Sequence, residues 1–181
     1  MFLEIETERL RLRLPRTADA EATVAVNNHR AVFDMTVGMP FPFTLADAHE
    51  WIAQALAEAE RGTTLDFVIE LKATGEIVGI CGLDSISREH DSAEVHYRLN
   101  PAFWGRGIAT ETLRRVLQFA FEDLQLERVL GRCIRGNDAS AQVLQKCGLR
   151  YEGCTVHDCK KNGVYHDLLW FGIIRAWWQA E

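Results

Sequence analysis

The sequence predicts an α/β fold of the α+β kind, with a mixed and mostly antiparallel sheet. Three observations predict it. Residues 65–83 hold two strand-like apolar runs around Thr74-Gly75, the pattern of an antiparallel hairpin. Asn162-Gly163 stands between residues 151–158 and 164–174, and that dipeptide supplies the positive-φ positions of a tight hairpin turn. Residues 48–59 and 109–124 instead repeat apolar side chains at three and four, the period of an amphipathic helix.

Taken in order, Leu10, Leu12 and Leu14 alternate with charged neighbours over residues 9–14, as in a half-buried strand, and Pro15 ends it. Thr17 is the expected N-cap of a helix to about His29, with Asp19 and Glu21 in its first turn, where the helix dipole favours carboxylates. An irregular stretch with Gly38, Pro40 and Pro42 follows. Phe33, Phe41 and Phe43 there serve either as a binding loop or as a cover for the core. Thr44 caps the next helix, with Asp47 as its third residue. Its stripe is Ala48, Trp51, Ile52, Ala55, Leu56 and Ala59, and Gly62 stops it. Leu65, Phe67, Ile69 and Leu71 form one strand and residues 77–83 the next. The polar residues 84–91 read as a loop, and 93–99 as a third strand. Ala109, Leu113, Val116, Leu117, Ala120 and Leu124 line one long helix. Residues 128–134 form a strand, and Asn137 or Asp138 caps a short helix that Gly148 stops.

With 181 residues and no internal repeat or linker, residues 1–181 read as a single domain. Its 48% hydrophobic and 25% charged content is that of a soluble globular protein. No apolar run is long enough to span a bilayer. Met1-Phe2-Leu3-Glu4 lacks a basic start and a signal-type apolar core, so a cytoplasmic location and no membrane partner are expected. The net charge of −6 disfavours nucleic acid and suits a cationic substrate. Five cysteines without a CxxC argue against a disulfide framework and for core packing. Cys154, His157, Cys159 and His166 raise the question of zinc, but alternation turns Cys154 away from His157 and Cys159, so no metal is expected. Trp177-Trp178 serves either as a dimer surface, which leaves a homodimer open, or as a cover for the core.

The chemistry centres on Phe103-Trp104-Gly105-Arg106-Gly107-Ile108-Ala109-Thr110-Glu111. Two glycines one residue apart permit a tight turn and close backbone approach to a ligand. The helix that follows offers unpaired N–H groups and the positive end of its dipole. Strand, Gly-x-Gly turn and helix in that order make a phosphate or pyrophosphate site. It is not a P-loop, because no Gly-Lys-Ser/Thr follows. It departs from the dinucleotide fingerprint at Thr110, where the third glycine would stand.

Residues 104–109 resemble the Q/R-x-x-G-x-G/A signature of the GNAT acetyltransferases. The text from Ala93 to Pro101 followed by FWGRGIATETL is similar to the branch of ribosomal-protein N-terminal acetyltransferases, the Rim type. Asn137, Ser140, Val143, Lys146, Gly148 and Leu149 resemble the family's N-x-x-S-x-x-V-x-x-K-x-G-F segment, and TERLRLR at residues 7–13 resembles the branch's first strand. The resemblance implies a GNAT fold, with about six to seven strands flanked by about four helices, and acetyl-CoA as co-substrate. The acetyl group would pass to a primary amine by direct attack. The strand before the turn would bend away from its neighbour, and the pantetheine arm would fill the gap. Leu99 would then meet the pantetheine. Trp104, Gly105, Arg106, Gly107, Ile108, Ala109 and Thr110 would hold the pyrophosphate, and Asn137 the pantetheine or the amine end.

Ser140 matches a serine that donates the proton to the leaving thiolate in related enzymes. Leu144 stands where many members carry a tyrosine for that task. Ser140 could also cap a helix or hold the sulfur by a hydrogen bond. Glu94, with His96 and Arg98 on the same strand face, is the expected base, and Asp84 and His96 are its alternatives. The expected acceptor is the N-terminal α-amine of a basic protein such as a ribosomal protein, since an α-amine has a pKa of about 8 against about 10.4 for lysine. A small cationic amine (an aminoglycoside, polyamine or amino acid) and a non-catalytic acyl-CoA-binding module are the alternatives.

Overall fold

The computed structural model describes residues 3–178. Strands β1 (Glu4–Glu6), β2 (Leu10–Arg13), β3 (Leu65–Leu71), β4 (Ile77–Ser87), β5 (Ser92–Leu99), β6 (Arg128–Ile134), β7 (Arg150–Lys161) and β8 (Val164–Ile174) form one sheet. Their order is β1-β2-β3-β4-β5-β6-β8-β7. Every pairing is antiparallel except that of β5 with β6. Parallel neighbours need a crossover, and α4 (Ile108–Gln118) supplies it. The other helices are α1 (Ala20–Asn27), α2 (Arg30–Met35), α3 (Leu45–Arg61), α5 (Asp138–Lys146) and α6 (Arg175–Trp178). No helix among the described residues is long and apolar enough to cross a membrane.

Eight strands exceed the expected six to seven. The addition is β1, whose three residues are too few for alternation to reveal. The helix expected over residues 17–29 is broken. Arg16, not Thr17, caps a short turn at Thr17–Asp19, because the Asp19 carboxylate accepts the Arg16 N–H at 2.6 Å. Asp19 is buried and also takes both ends of the Arg13 guanidinium, at 2.7 and 3.0 Å. Helix α1 ends at Asn27, and His29 is extended before α2 begins. Helix α3 follows its caps: Thr44 Oγ1 accepts the Asp47 N–H, Asp47 accepts the Thr44 N–H at 2.7 Å, and Gly62 is left-handed.

The long helix after the turn opens into a π-turn at Phe119–Asp123, which keeps Phe119, Ala120 and Phe121 buried together. The first half of the expected loop at 84–91 is strand, and residues 88–91 form the turn. Strand β4 runs to Ser87, with an irregular register between Asp84 and Ser87 and a left-handed Ser85. Asn162 and Gly163 are both left-handed, as the hairpin turn requires. One large core joins β2, β3 and β8 to α4 through Leu10, Leu12, Phe67, Ile69, Leu113 and Phe171. A smaller cluster of Ala20, Phe43, Ala48 and Ile52 lies around α1 and α3. Phe33 and Phe43 are buried, while Phe41 is exposed and packs on Phe33 at 5.1 Å. Trp178 packs on Phe121 at 5.9 Å and Trp177 lies under Arg150, so the tryptophan pair covers the core.

Candidate active site

Strands β5 and β6 pair only from Ser92–Arg128 to Val95–Gly131. Beyond that rung β5 continues to Leu99 and β6 to Ile134, so a wedge opens in mid-sheet. Its apex is apolar. A Cβ on Gly131 would lie 2.7 Å from Leu144, so the bare glycine gives Leu144 its seat. Leu144 is a core plug there, 1% exposed. A cleft of about 540 Å³ adjoins the wedge, lined by Glu94, His96, Tyr97, Arg98, Asn137 and Ser140 and walled by Trp51 of α3. Leu99 and residues 104–110 lie outside its lining.

Gly105 and Gly107 are both left-handed, at φ 73° and 76°, and Gly107 is the N-cap of α4. The first N–H groups of a helix have no intrahelical acceptor, so this end suits an anion. The turn is clamped by the chain's first strand region. Thr7 Oγ1 donates to Glu111 Oε1 at 2.5 Å, and Arg9 Nε donates to Glu111 Oε2 at 2.7 Å. Both terminal nitrogens of Arg9 donate to the Arg106 carbonyl at 3.3 Å. Burial opposes ionisation of Glu111, but the bonds from Thr7 and Arg9 hold its pKa below the usual carboxylate range. The Arg106 guanidinium lies 5.0 Å over the Phe103 ring. Trp104 donates its indole N–H to the Leu99 carbonyl at 2.9 Å, bracing the end of β5. Ile108 is buried, while Ala109 and Thr110 are half-buried.

The clamp was not legible in the motifs taken singly, although TERL and GIATE carry both halves of it. Its loss has an expected cost. Glu111→Gln should weaken pyrophosphate binding at this turn about tenfold, or about 1.4 kcal/mol, as read by calorimetry. A carboxyl whose folded pKa is depressed stabilises above its unfolded pKa, and that contribution fades as pH falls through the folded value. The melting gap between wild type and Glu111→Gln should therefore close in acid.

On the wedge side, Asn137 caps α5 and its Oδ1 accepts the Ser140 N–H at 3.2 Å. The Tyr97 hydroxyl lies 2.9 Å from Ser140 Oγ and 3.1 Å from the Ser140 carbonyl oxygen. Burial pushes the Tyr97 phenol above its usual pKa, so it remains protonated. Sequence reading missed Tyr97. The available signal was its place on the same strand face as Leu99, opposite Glu94, His96 and Arg98.

The other face of β5 carries the charge. Asp66, Gly82 and His96 stand in register on β3, β4 and β5. With no side chain on Gly82, Asp66 and His96 meet over it at 2.9 Å. The contact is an ion pair when His96 is protonated. Asp84 lies 3.7 Å from the same His96 nitrogen. Burial disfavours the imidazolium, but Asp66 and Asp84 outweigh it and raise the His96 pKa. Burial raises the Asp84 pKa. It also raises that of Glu94, against the opposing Arg132. Glu94 lines the cleft with its carboxylate 2.6 Å from Arg132 Nε. Among the described residues, Asp66, Asp84 and His96 form the one cluster with metal-ligand spacing. Arg98, whose Nε donates to Asn27 at 2.6 Å, adds positive charge beside those two carboxylates. His157 stacks on Tyr165 at 5.3 Å, and Cys159 pairs across the hairpin with His166.

The sheet parts at its one parallel pair among the described residues, beside a left-handed glycine turn at a helix N-terminus. The acetyltransferase (GNAT) domain matches residues 9–150, and the chain belongs to that family of acetyl-CoA-dependent N-acetyltransferases. It is 30% identical over 177 residues to the uncharacterized N-acetyltransferase YoaA of Bacillus subtilis, covering 97% of this chain and 98% of that protein. Its fold is similar to that of RimL, a ribosomal L7/L12 alpha-N-protein acetyltransferase in complex with coenzyme A. The TM-score there is 0.87 at 20% identity, covering 95% and 98% of the two chains. It is also similar to the ribosomal-protein-S5-alanine acetyltransferase of Vibrio fischeri, with a TM-score of 0.86 at 22% identity, covering 97% and 98%.

Proposed function

We propose that this enzyme acetylates the N-terminal α-amine of a basic protein, such as a ribosomal protein, by direct attack of the amine on the thioester of acetyl-CoA. The observation that carries the reading is the charge of the cleft. Asp47, Glu50, Glu58, Asp66, Asp84 and Glu94 line it, against Arg98 and Arg132. Such a cleft attracts a cation and steers it to the wedge. The neighbours named as ribosomal-protein acetyltransferases share the fold and support a protein acceptor.

In this reading Gly105–Thr110 holds the pyrophosphate, and Asn137 and the end of β5 at Leu99 hold the pantetheine. Ser140 gives its proton to the leaving thiolate. The amine proton goes to Asp84, whose half-exposed carboxylate opens on the cleft with His96 behind it. Glu94, engaged by Arg132, orients the acceptor. Asp84 and His96 titrate as a coupled pair, and both sit above their ordinary values. The base works deprotonated, so kcat rises as pH climbs through that pair's titration.

The test is thiol release with acetyl-CoA and two acceptors, a basic peptide with an N-terminal alanine and spermidine. Faster turnover of the peptide, lost when its N-terminus is blocked, supports the reading. Faster turnover of spermidine transfers the assignment to small amines, the reading favoured by the wall of Phe43 and Trp51. With the better acceptor, Asp84→Asn lowers kcat about 100-fold, the lower end for a lost general base. Glu94→Gln lowers it less than about fivefold, as removal of one polar contact does. The reverse ranking would return the base to Glu94.

A further inference from the structure

We propose that Tyr97 is a positioning residue that sets the direction of the Ser140 hydroxyl proton. The inference rests on Ser140 as the proton donor in the reading above. The Tyr97 oxygen is shared between two atoms of one residue, Oγ at 2.9 Å and the carbonyl oxygen at 3.1 Å. A phenol has one proton to give, and a carbonyl oxygen only accepts. Two arrangements are open, and only the first gives the phenol's proton to the carbonyl oxygen. In the first, Tyr97 donates to the carbonyl and Ser140 donates back to the phenol oxygen. The serine proton then points inward and is spent within the protein. In the second, Tyr97 donates to Oγ, and the serine proton turns outward to the cleft that Ser140 lines.

Only the second arrangement delivers a proton to sulfur. When the carbon–sulfur bond breaks, the electron pair stays on sulfur and Ser140 Oγ–H passes its proton there. The Tyr97 O–H, donating to Oγ, stabilises the oxygen that loses it. The amine proton taken up at Asp84 returns to Ser140 Oγ through water, so one proton leaves the amine and one reaches the thiol. Tyr97 itself gives up no proton, because partial burial disfavours a phenolate there.

The surroundings hold the pair in place. Asn137 fixes the Ser140 backbone by accepting its N–H. Leu144, seated on Gly131, presents carbon at the wedge apex where the family's tyrosine would stand. Tyr97 therefore brings a phenol to Ser140 from the strand, whereas the family pattern brings one from the helix. The two phenols differ in task. The resemblance implies that one on the helix would serve sulfur itself, while Tyr97 is bonded to the serine.

The test needs coenzyme A alone, with no acceptor. A thiol titrates near about 8.5, so binding is followed by calorimetry at pH 6 and pH 9. An outward Ser140 O–H bonds the thiolate, and a hydrogen bond to a charged group is worth about tenfold or more in affinity. Wild type should bind coenzyme A more tightly at pH 9 than at pH 6. Ser140→Ala and Tyr97→Phe should each lose about tenfold at pH 9 and little at pH 6, and the double variant should lose no more than either single one. A merely structural role for Tyr97 would cost affinity at both pH values and would add to the serine loss.

Tyr97→Phe binding like wild type at pH 9, or additive losses in the double variant, overturns the proposal while leaving Ser140 as donor. Ser140→Ala binding like wild type at pH 9 removes Ser140 as donor and the proposal with it. Should Tyr97→Phe fail to fold, 3-fluorotyrosine at position 97, a stronger donor of similar size, should tighten binding at pH 9. No tightening there would also overturn the proposal.

Discussion

Replacing Gly107 with glutamate abolishes acetyl-CoA binding, with a loss of at least about 100-fold in affinity. Two effects combine. Gly107 is left-handed at φ 76°, a conformation that costs a residue with a Cβ about 1–2 kcal/mol. A Cβ there would meet only Arg9, at 3.7 Å, so the site has room for the side chain and the strain is conformational. The larger effect is charge. A carboxylate at the N-cap of α4 would stand in the proposed anion site and repel a pyrophosphate. At 4 Å and an effective dielectric of 20, that repulsion is about 4 kcal/mol. Gly107→Ala separates the terms, because it carries the strain without the charge and should lose less than about tenfold. Calorimetry reads both affinities, and a melting curve shows whether each variant is folded. Equal losses in the two variants would mean that backbone shape, not charge, governs the site.

Gly82→Ala should disable the charged side of the cleft although its side chain carries no chemistry. The new Cβ would lie 2.5 Å from the Leu65 carbonyl oxygen, 2.6 Å from His96 Nε2 and 3.0 Å from Asp66 Oδ1. The strand cannot yield easily, since Gly82 pairs with Asp66 on one side and His96 on the other. Overpacking of this kind costs about 1–3 kcal/mol, and it forces Asp66 and His96 apart. The sign of the titration shift follows. Asp66 and Asp84 hold the His96 pKa up, so losing Asp66 lets it fall. An NMR titration should place His96 above about 6.5 in wild type and lower in the variant. In wild type this pair adds stability that is full below the unfolded histidine pKa and is lost as pH rises through the folded one. The stability lost in Gly82→Ala should accordingly be greatest in acid. A His96 titration unchanged by the substitution would show that Asp66 does not control it.

The elements legible in the sequence were those with local causes. Thr44 and Asp47 three residues apart specify the cap of α3, and Asn162-Gly163 specifies its turn, without help from the rest of the chain. The left-handed pair Gly105 and Gly107 belongs to the same class. What escaped depends on register or on distant pairing. Asp66 and His96 are neighbours only because β3, β4 and β5 align with a glycine between them, and alternation reports faces rather than rows. Asp84, named as an alternative base, stands on β4 opposite Glu94 because the strand runs on through residues that read as a loop. Tyr97 and Ser140 are 43 positions apart, and Thr7 and Glu111 are 104 apart. The broken first helix belongs with these, since Asp19 is claimed by Arg13 from the neighbouring strand.

The wedge between β5 and β6 also divides the molecule mechanically. Strands β1 to β5 form one antiparallel wing and β6 to β8 another, and a run from Ser92–Arg128 to Val95–Gly131 is all that joins them edge to edge. Past that run each wing turns backbone donors and acceptors toward the other without reaching them, which makes an edge inside a sheet. Exposed edges invite foreign strands, but this one lies in a crevice closed at its apex by Leu144 and tapering toward it, so a strand with full-width pleats finds no parallel berth. In the proposed reading a slender chain carrying amide groups would seat in this slot and serve as a rung between the two wings. Ligand occupancy would then stiffen the sheet across its weakest seam.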